Sequence, residues 1–322
     1  MLTIPVGCLR TTPAMPFDIY IQPGGRGAPV LYREKDLPMD AAVRERLWSH
    51  GVQNALIPAS AEYTYGAHLE GHLPAILQDP EMSAPAKTAV VYRSACALMM
   101  EVMQSPRAGQ LCGRTQELVN HAVGFFLTHD ETLSCLADVL SFDYYTYTHS
   151  VNVFAFSICL AKAAGYKDPE VLREFGQGCL LHDAGKSRIS PDIINAKTKL
   201  SEAQWAVMQR HPVHSFDILV EAGEGRDLAL DAARSHHEKL DGSGYPDGLV
   251  ASELSPFVRM ITIADIFDAL TTRRPYKDAM NRQAALRIMY SEMRRKLDMD
   301  LFQVFVDMLG EEPPRSELRL KG

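Results

Sequence analysis

Several common sequence features are missing from this chain, and each absence narrows its class. No apolar run reaches the roughly 18 residues that a membrane-crossing helix needs, and the first residues do not have the layout of a secretory signal. Neither an internal repeat nor a low-complexity tract occurs. We therefore expect a globular protein without a membrane span, located in the cytoplasm.

Paired cysteines and an excess of positive charge are missing as well. The six cysteines include no Cys-X-X-Cys pair, which predicts reduced, mostly buried thiols. Lysine and arginine number 33 against 40 acidic residues, so the net charge is −7. Such a chain is not a general binder of nucleic-acid polymers, and a phosphate-bearing ligand would need a local cationic site.

What is present fits two domains, because 322 residues exceed one typical core. The stretches FDIYI, APVLYRE and VQNALIP predict short strands, separated by the turn PGGRG and by a helix that Asp40 caps and Gly51 ends. We interpret residues 1–82 as a small α+β regulatory or interaction domain. None of its residues indicates catalysis.

After the proline-rich stretch DPEMSAPAK, the pattern becomes helical. The segment KTAVVYRSACALMMEVMQ predicts a long helix for packing, for contact between domains or for a homodimer. We assign residues 83–130 to a helical linker and residues 131–322 to a catalytic domain.

Beyond residue 145, histidines and aspartates recur on five separate, mostly apolar helical segments. Buried imidazoles and carboxylates need partners, because an unpaired buried charge costs several kcal/mol. So many of them, including a His-Asp and a His-His pair, are better explained by bound metal than by isolated core residues. The candidate ligands are His149, His182, Asp183, His211, His236, His237 and Asp265.

The donor types restrict the metal without choosing it. Imidazole nitrogens and carboxylate oxygens suit iron, manganese, zinc, nickel or cobalt, and the lack of a cysteine ligand argues against structural zinc. Seven ligands are too many for one tetrahedral ion and suit two ions with a shared carboxylate. Since adjacent helical residues point about 100° apart, His182 can bind one ion while Asp183 bridges both.

Three stretches give a resemblance to a known family: HDAGK at His182–Lys186, HHEKLDGSGYP at His236–Pro246 and ADIFDALTTRRPYK at Ala264–Lys277. YTHS around His149 and HPVHS around His211 match more loosely. Together they resemble the HD-GYP subgroup of HD-domain phosphohydrolases over about residues 120–310. The implied fold is mainly α, an HD-domain helical bundle behind the small N-terminal domain.

The resemblance also implies how the ligands are shared. His149, His182, Asp183 and Asp265 would surround one ion. The other would be bound by His211, His236, His237 and the bridging Asp183. Some members carry a glutamate one turn before the first histidine and bind a third ion; here that residue is Tyr145, so we expect two ions.

The implied chemistry is phosphodiester hydrolysis by a metal-bridging hydroxide, with Asp183, Lys186 and Asp268 as catalytic residues. Lys186, four residues after His182 in a predicted helix, can point its ammonium at the phosphate. Asp268 resembles a family position that steers the nucleophile or protonates a leaving group. Arg274, Lys277 and Tyr245, the last in the turn Gly242–Pro246 (the GYP turn), would bind substrate with Lys186.

The resemblance implies a bacterial signalling enzyme that hydrolyses cyclic di-GMP to pGpG, with GMP as a further product left open. Iron is the first choice of metal and manganese the second. Two alternatives stay open: a non-catalytic cyclic dinucleotide receptor or adaptor, and an HD phosphohydrolase of another cyclic dinucleotide. Protein partners would bind through the GYP turn or the N-terminal domain.

Overall fold

The computed structural model describes residues 1–22, 27–104, 111–129, 146–196, 198–223, 227–272 and 279–311. The chain forms two compact units, residues 1–98 and 99–322. The first contains a four-stranded sheet and the second is helical, which confirms the predicted fold class. No helix among these residues has the length and apolar character required to cross a membrane.

The sheet of the first unit is antiparallel throughout. Its strands are β1 (Leu2–Pro5), β2 (Ile19–Ile21), β3 (Val30–Arg33) and β4 (Asn54–Ile57), in the spatial order β1-β4-β2-β3. The three predicted strands correspond to β2, β3 and β4, whereas β1 was not predicted. Four residues with one buried side chain, Ile4, present too short an alternation to be recognised.

Helices of the first unit follow local rules of capping and burial. They are α1 (Ala41–Ser49), α2 (Glu62–Gly71), α3 (Leu73–Leu77) and the first turns of α4 (Ala84–Gln104). Asp40 Oδ1 accepts a hydrogen bond from the Val43 amide at 2.8 Å, as the sequence predicted for this N-cap. Gly51 adopts a φ of 72°, which glycine tolerates without strain and which ends the helix.

The first unit extends further along the chain than the predicted boundary at residue 82. The start of α4 packs on α2: a Cβ on Gly66 would meet the Arg93 carbonyl oxygen at 3.0 Å, and Arg93 Nη1 lies 3.5 Å from Glu62 Oε1. A domain boundary placed at a stretch of proline and small residues takes no account of such contacts. The roles assigned to residues 1–82, 83–130 and 131–322 stay predictions.

The second unit is built from helices, one of which is buried along most of its length. Its helices are α5 (Cys112–Thr128), α6 (Thr146–Ala163), α7 (Pro169–Leu181), α8 (Pro191–Ile194), α9 (Glu202–Met208), α10 (His211–Glu221), α11 (Asp227–Ser235), α12 (Pro256–Thr271), α13 (Arg282–Glu292) and α14 (Met299–Met308). Residues Thr148–Ala161 of α6 are all buried, as expected for a helix that is apolar around its whole circumference.

Helix α7 packs against α5, α6 and α11, and α12 packs against α6. Close approach of α7 to α11 depends on Gly178, where a Cβ would lie 2.6 Å from the Ala229 carbonyl oxygen. These contacts bring the ends of α7 and α11 towards the inner faces of α6 and α12. The predicted ligands lie at this place.

Candidate metal centre

The candidate centre is assembled from five segments of the second unit. His149 lies in the first turn of α6, and Asp265 lies in α12. His182 and Asp183 directly follow α7, His211 begins α10, and the histidine pair directly follows α11. The structure brings together all seven predicted ligands: His149, His182, Asp183, His211, His236, His237 and Asp265. Their ligand roles stay a prediction.

Three of the histidines are oriented by the helix that precedes them. Nδ1 of each ring faces the carbonyl oxygen three residues earlier: His182 to Cys179 at 2.7 Å, His211 to Met208 at 2.8 Å and His236 to Ala233 at 3.0 Å. Since only an N–H can bond a carbonyl, Nδ1 is the protonated nitrogen in each ring. Nε2 therefore directs its lone pair into the cluster.

The donor atoms fall into two groups. One consists of His149, His182 and Asp183 and the other of His211, His236 and His237, and within each group the atoms lie within 4.8 Å of one another. Asp183 adjoins both groups, since its Oδ2 is 3.6 Å from His149 Nε2 and its Oδ1 is 3.1 Å from His211 Nε2.

Asp265 also adjoins both groups. Its Oδ1 lies 3.1 Å from His149 Nε2 and its Oδ2 lies 3.3 Å from His237 Nδ1. The sequence interpretation placed Asp265 in the first group only. In the structure, one oxygen faces each group.

Asp268 takes a different place from the predicted one. Its Oδ2 accepts the Nδ1–H of His149 at 2.7 Å, and its Oδ1 accepts hydrogen bonds from Asn152 Nδ2 at 2.7 Å and Thr272 Oγ1 at 3.1 Å. The carboxylate is 2% exposed and lies behind His149, on the side away from the cluster. A group in this position orients the imidazole, and its direct part in the reaction stays a prediction.

The helix predicted to carry His182, Asp183 and Lys186 together is wrong in its extent. Helix α7 ends at Leu181, and residues Ala184–Arg188 form a 3₁₀ helix. Lys186 therefore does not share a helix face with His182. Its ammonium instead pairs with Asp183 Oδ2, which still places a cation at the edge of the cluster.

The tight turn depends on Gly185. Its amide donates to Ser215 Oγ at 2.8 Å, and a Cβ at this position would overlap the His211 carbonyl oxygen. Glycine thus allows the turn after His182 to lie directly against the start of α10. This contact brings Asp183 next to His211.

Burial and charge favour the ligating form of His236 and of Asp183. Burial, helped by His237, His182 and His211, holds the pKa of His236 well below its usual range. Burial alone would raise the pKa of Asp183, but Lys186, His182 and His211 outweigh it and hold that pKa well below normal. Neutral imidazoles and ionised carboxylates are the forms that bind metal ions.

Two observations fit a metal here better than a hydrogen-bonded cluster. His182 Nε2 is buried, and among the described residues it has no hydrogen-bond partner. His211 Nε2 and His236 Nε2 are 3.2 Å apart, although each ring already donates its Nδ1–H to a backbone carbonyl. A cation accounts for both arrangements, and the nitrogen and oxygen donors suit a divalent transition metal.

The segment after the histidine pair is held by a residue that sequence reasoning missed. Glu238 is 1% exposed and accepts hydrogen bonds from three successive amides, those of Asp247 at 2.7 Å, Gly248 at 3.0 Å and Leu249 at 3.1 Å. At Gly244 a Cβ would overlap the backbone of Glu238, so only glycine fits. The GYP turn is therefore folded tightly against the histidine pair.

Tyr245 of the GYP turn lies over the cluster. Its ring is 4.7 Å from that of His237 at an angle of 37°. Burial, with the carboxylates of Asp265 and Asp183, raises the pKa of its hydroxyl, so the group stays neutral. The structure does not assign it a substrate contact, and its binding role stays a prediction.

Some sequence predictions cannot be located. Tyr145, Arg274 and Lys277 lie outside the described residues, so the third-ion argument and two substrate contacts stay predictions. Residues beside the site that were missed include Asn152, whose amide donates to Asp268, and Lys239, a half-buried lysine. Burial lowers the pKa of Lys239, and Asp265 opposes that shift. A lysine that directly follows HHE resembles a surface residue in sequence.

Comparisons with known proteins show the family of this chain. A family model described as HD domain matches residues 142–301. A cyclic di-GMP phosphodiesterase of Pseudomonas aeruginosa is 31% identical over 92% of this chain and 72% of its own length. The chain belongs to the HD-GYP family of HD-domain phosphohydrolases.

Two further comparisons differ in how much of the chain they cover. A 3'3'-cGAMP-specific phosphodiesterase of Vibrio cholerae is 39% identical over 52% of this chain, but the match spans only 36% of that protein. The solved structure of Bd1817, an HDG"Y"P protein from Bdellovibrio bacteriovorus, aligns with a TM-score of 0.64 at 20% identity, covering 96% of this chain and 99% of Bd1817. That likeness supports the HD-GYP fold.

Proposed function

We propose that this HD-GYP protein is a metal-dependent phosphodiesterase that hydrolyses cyclic di-GMP to pGpG, with GMP as a further product left open. The observation that carries the proposal is the pair of donor groups joined by Asp183 and Asp265. The match to a cyclic di-GMP phosphodiesterase over most of both chains supports the choice of substrate.

Each residue of the centre has a proposed task. We assign His149, His182, Asp183 and Asp265 to one divalent ion, and His211, His236, His237 and Asp183 to the other. Two ions held in this way would lower the pKa of a bound water to about 7 and polarise the phosphoryl oxygens. We place iron first and manganese second, by resemblance to the family.

The remaining groups act on the substrate and its surroundings. Lys186, with its side chain 14% exposed beside Asp183, supplies positive charge where a phosphoryl group would develop negative charge. Arg274, Lys277 and Tyr245 bind the dinucleotide in this proposal. Asp268 keeps the Nδ1 proton of His149 in place, so that Nε2 stays available as a donor.

Two alternatives differ in substrate or in class. 3'3'-cGAMP shares a guanosine and two phosphodiesters with cyclic di-GMP, and the Vibrio cholerae relative with 39% identity is named for it. A receptor without catalysis is supported less, because binding alone does not require the second donor group. We also propose a cytoplasmic site of action, for which the free state of the five described cysteines is the support.

The test combines elemental analysis with product separation. The purified protein should contain about two equivalents of iron or manganese, and it should convert cyclic di-GMP to pGpG faster than 3'3'-cGAMP is cleaved. His182→Ala and Asp183→Ala should each lose at least about 100-fold in turnover and at least one metal equivalent. His50→Ala, on the exposed surface of the first unit, is the matched control.

Three results would contradict parts of this proposal. Full activity in both His182→Ala and Asp183→Ala would show that these residues do not form the catalytic site. Tight binding of cyclic di-GMP without turnover in the metal-loaded protein would favour the receptor. Faster cleavage of 3'3'-cGAMP would replace the substrate and leave the centre unchanged.

A further inference from the structure

An exposed tryptophan stands beside the candidate centre without a structural reason to be there. Trp205 lies in α9, and 47% of its surface is exposed. No residue of this short helix is buried. Instead, Ser201 and Gln204 hold its first turn through a reciprocal capping box, with bonds of 3.3 Å and 2.9 Å. The helix therefore does not need the Trp205 ring for its stability.

The Trp205 ring is the outer member of a row of three. It meets Tyr245 edge-on, with ring centroids 6.1 Å apart and an angle of 79°. Tyr245 in turn lies over His237 at 4.7 Å. Two ring-to-ring steps thus lead from a predicted metal ligand to the surface.

The edge-on contact leaves a face of the indole uncovered. A perpendicular pair uses the rim of one ring, whereas stacking needs a flat face. Because 47% of the surface of Trp205 is exposed, part of this residue is open to solvent. A planar ligand that extends outward from the metal centre would meet it.

The aromatic ring of Trp205, at the outer end of this row, is suited to stacking with a nucleobase. A phosphodiester at the centre, next to Lys186, carries its nucleosides away from the metals along the protein surface. Purines stack on aromatic side chains with about 1–3 kcal/mol per base, a factor of about 5 to 150 in affinity. Among the described residues of the second unit, the other large apolar side chains that are exposed are valines, such as Val207 of the same helix, and they have no flat face to offer.

We propose that Trp205 stacks on a guanine of the cyclic dinucleotide and so positions the substrate. This inference rests on the proposed function, since it requires a purine nucleotide whose phosphate lies at the metal centre. Trp205 does not reach the reacting atoms, so its contribution belongs to binding. The sequence interpretation left this residue unassigned.

Steady-state kinetics separate this role from a structural one. With metal-loaded full-length protein, Trp205→Ala should raise the KM for cyclic di-GMP by about 5- to 150-fold and change kcat less than about 3-fold. Trp205→Phe keeps a ring and should recover most of the loss. Val207→Ala, exposed on the same helix, should leave both constants unchanged.

Fluorescence gives a second readout, because the chain has two tryptophans, Trp48 and Trp205. In the Trp48→Phe background, every change in tryptophan emission comes from Trp205. A stacked base quenches an indole, so titration with cyclic di-GMP should lower the emission in a saturable manner. In the Trp205→Phe background, the emission of Trp48 should stay constant.

The outcomes distinguish this inference from the proposed function. If the wild-type protein cleaves bis(p-nitrophenyl) phosphate but not cyclic di-GMP, the proposed substrate is wrong and the stacking role falls with it. If wild type and Trp205→Ala cleave cyclic di-GMP with equal KM, the function stands, and the exposed ring serves another occupant, such as a protein partner. An equal fall in kcat and metal content in Trp205→Ala would show a structural role and overturn the inference.

Discussion

At the scale of single residues, the contact between His149 and Asp268 determines which nitrogen of His149 is available to bind a metal ion. His149 has Asp268 on one nitrogen and Asp265 on the other, at 2.7 Å and 3.1 Å. The proton therefore stays on Nδ1, and Nε2 remains a donor. This role is distinct from the acid or base role that the motif alone suggested.

We predict that Asp268→Ala weakens metal binding more than it weakens folding. Loss of the carboxylate leaves the His149 ring free to rotate or to change tautomer, which should lower metal affinity by about 10- to 100-fold. Metal content after dialysis against a graded chelator measures this. Asp307→Ala, an exposed aspartate of α14, serves as the control.

One outcome would contradict the positioning role of Asp268. If Asp268→Ala keeps its full metal content but loses turnover by more than about 100-fold, the carboxylate acts on the reaction itself. The originally predicted catalytic role would then return. If a lower chelator concentration removes half of the metal from Asp268→Ala, and activity falls in proportion to metal content, the positioning role is supported.

The sequence could identify donors at this scale but not their geometry. The pairs His-Asp and His-His, and the apolar context, were enough to find all seven candidate ligands. Asp268 sits three residues after Asp265 on the same helix, so spacing predicted a second group at the cluster. Only the packing of α6 against α12 shows that its carboxylate meets the outer nitrogen of His149.

At the scale of elements, glycines determine how closely the site segments approach. Gly185 places the 3₁₀ helix Ala184–Arg188 against α10, and Gly178 places α7 against α11. In both cases backbone atoms occupy the space that a side chain would need. The site is therefore sensitive to the smallest substitution at these two positions.

We expect Gly185→Ala to destabilise the second unit by about 1–3 kcal/mol and to lower activity, because the new Cβ overlaps the His211 carbonyl. Gly124→Ala is the matched control, for which we expect the opposite change in stability. It lies within α5 with no heavy atom within 4 Å of an added Cβ, and should raise stability by about 0.5–1 kcal/mol. Urea unfolding of both variants measures the difference.

Equal stabilities for Gly185→Ala and wild type would show that the 3₁₀ helix can shift without loss. Such a result would also weaken the argument that the turn aligns Asp183 with His211. A stable but inactive Gly185→Ala would instead locate the effect at the site alone.

Element types were more predictable than element ends. Alternation in FDIYI and the cap at Asp40 predicted β2 and α1, because both signals are local. The end of α7 at Leu181 was missed, since HDAGK contains no proline and its glycine acts through contact with a distant helix. Trp205 was missed for a related reason: its neighbour Tyr245 is forty residues away in sequence.

At the scale of the whole molecule, the two compact units contain different buried titratable groups. The first holds His68, which is 7% exposed and accepts a hydrogen bond from the Arg10 amide on Nε2 at 3.3 Å. Burial, together with His72, lowers the pKa of His68 from 6.5 to about 4. The neutral ring is therefore the folded form over most of the acidic range.

The first unit should lose stability as the pH falls from about 6.5 to about 4. In this window the unfolded chain binds a proton at His68 that the folded chain does not bind, so acid favours unfolding. Stability is fully present above pH 6.5, and about 3 kcal/mol is lost by pH 4. Unfolding followed by Trp48 emission in the Trp205→Phe background reports this unit.

His68→Gln should flatten that part of the pH profile, because the amide oxygen can still accept the Arg10 hydrogen bond but does not titrate there. Gln53→Ala, at an exposed position that carries no titratable group, should leave the slope unchanged. A wild-type profile that is flat between pH 6.5 and 4 would exclude a buried neutral His68.

The carboxylate of Glu238 holds the segment after the GYP turn through main-chain amides alone. Every residue except proline has such an amide, so these hydrogen bonds do not depend on the side chains at Asp247 and Leu249. The segment should therefore tolerate replacement at these two positions and be sensitive to replacement of Glu238 itself.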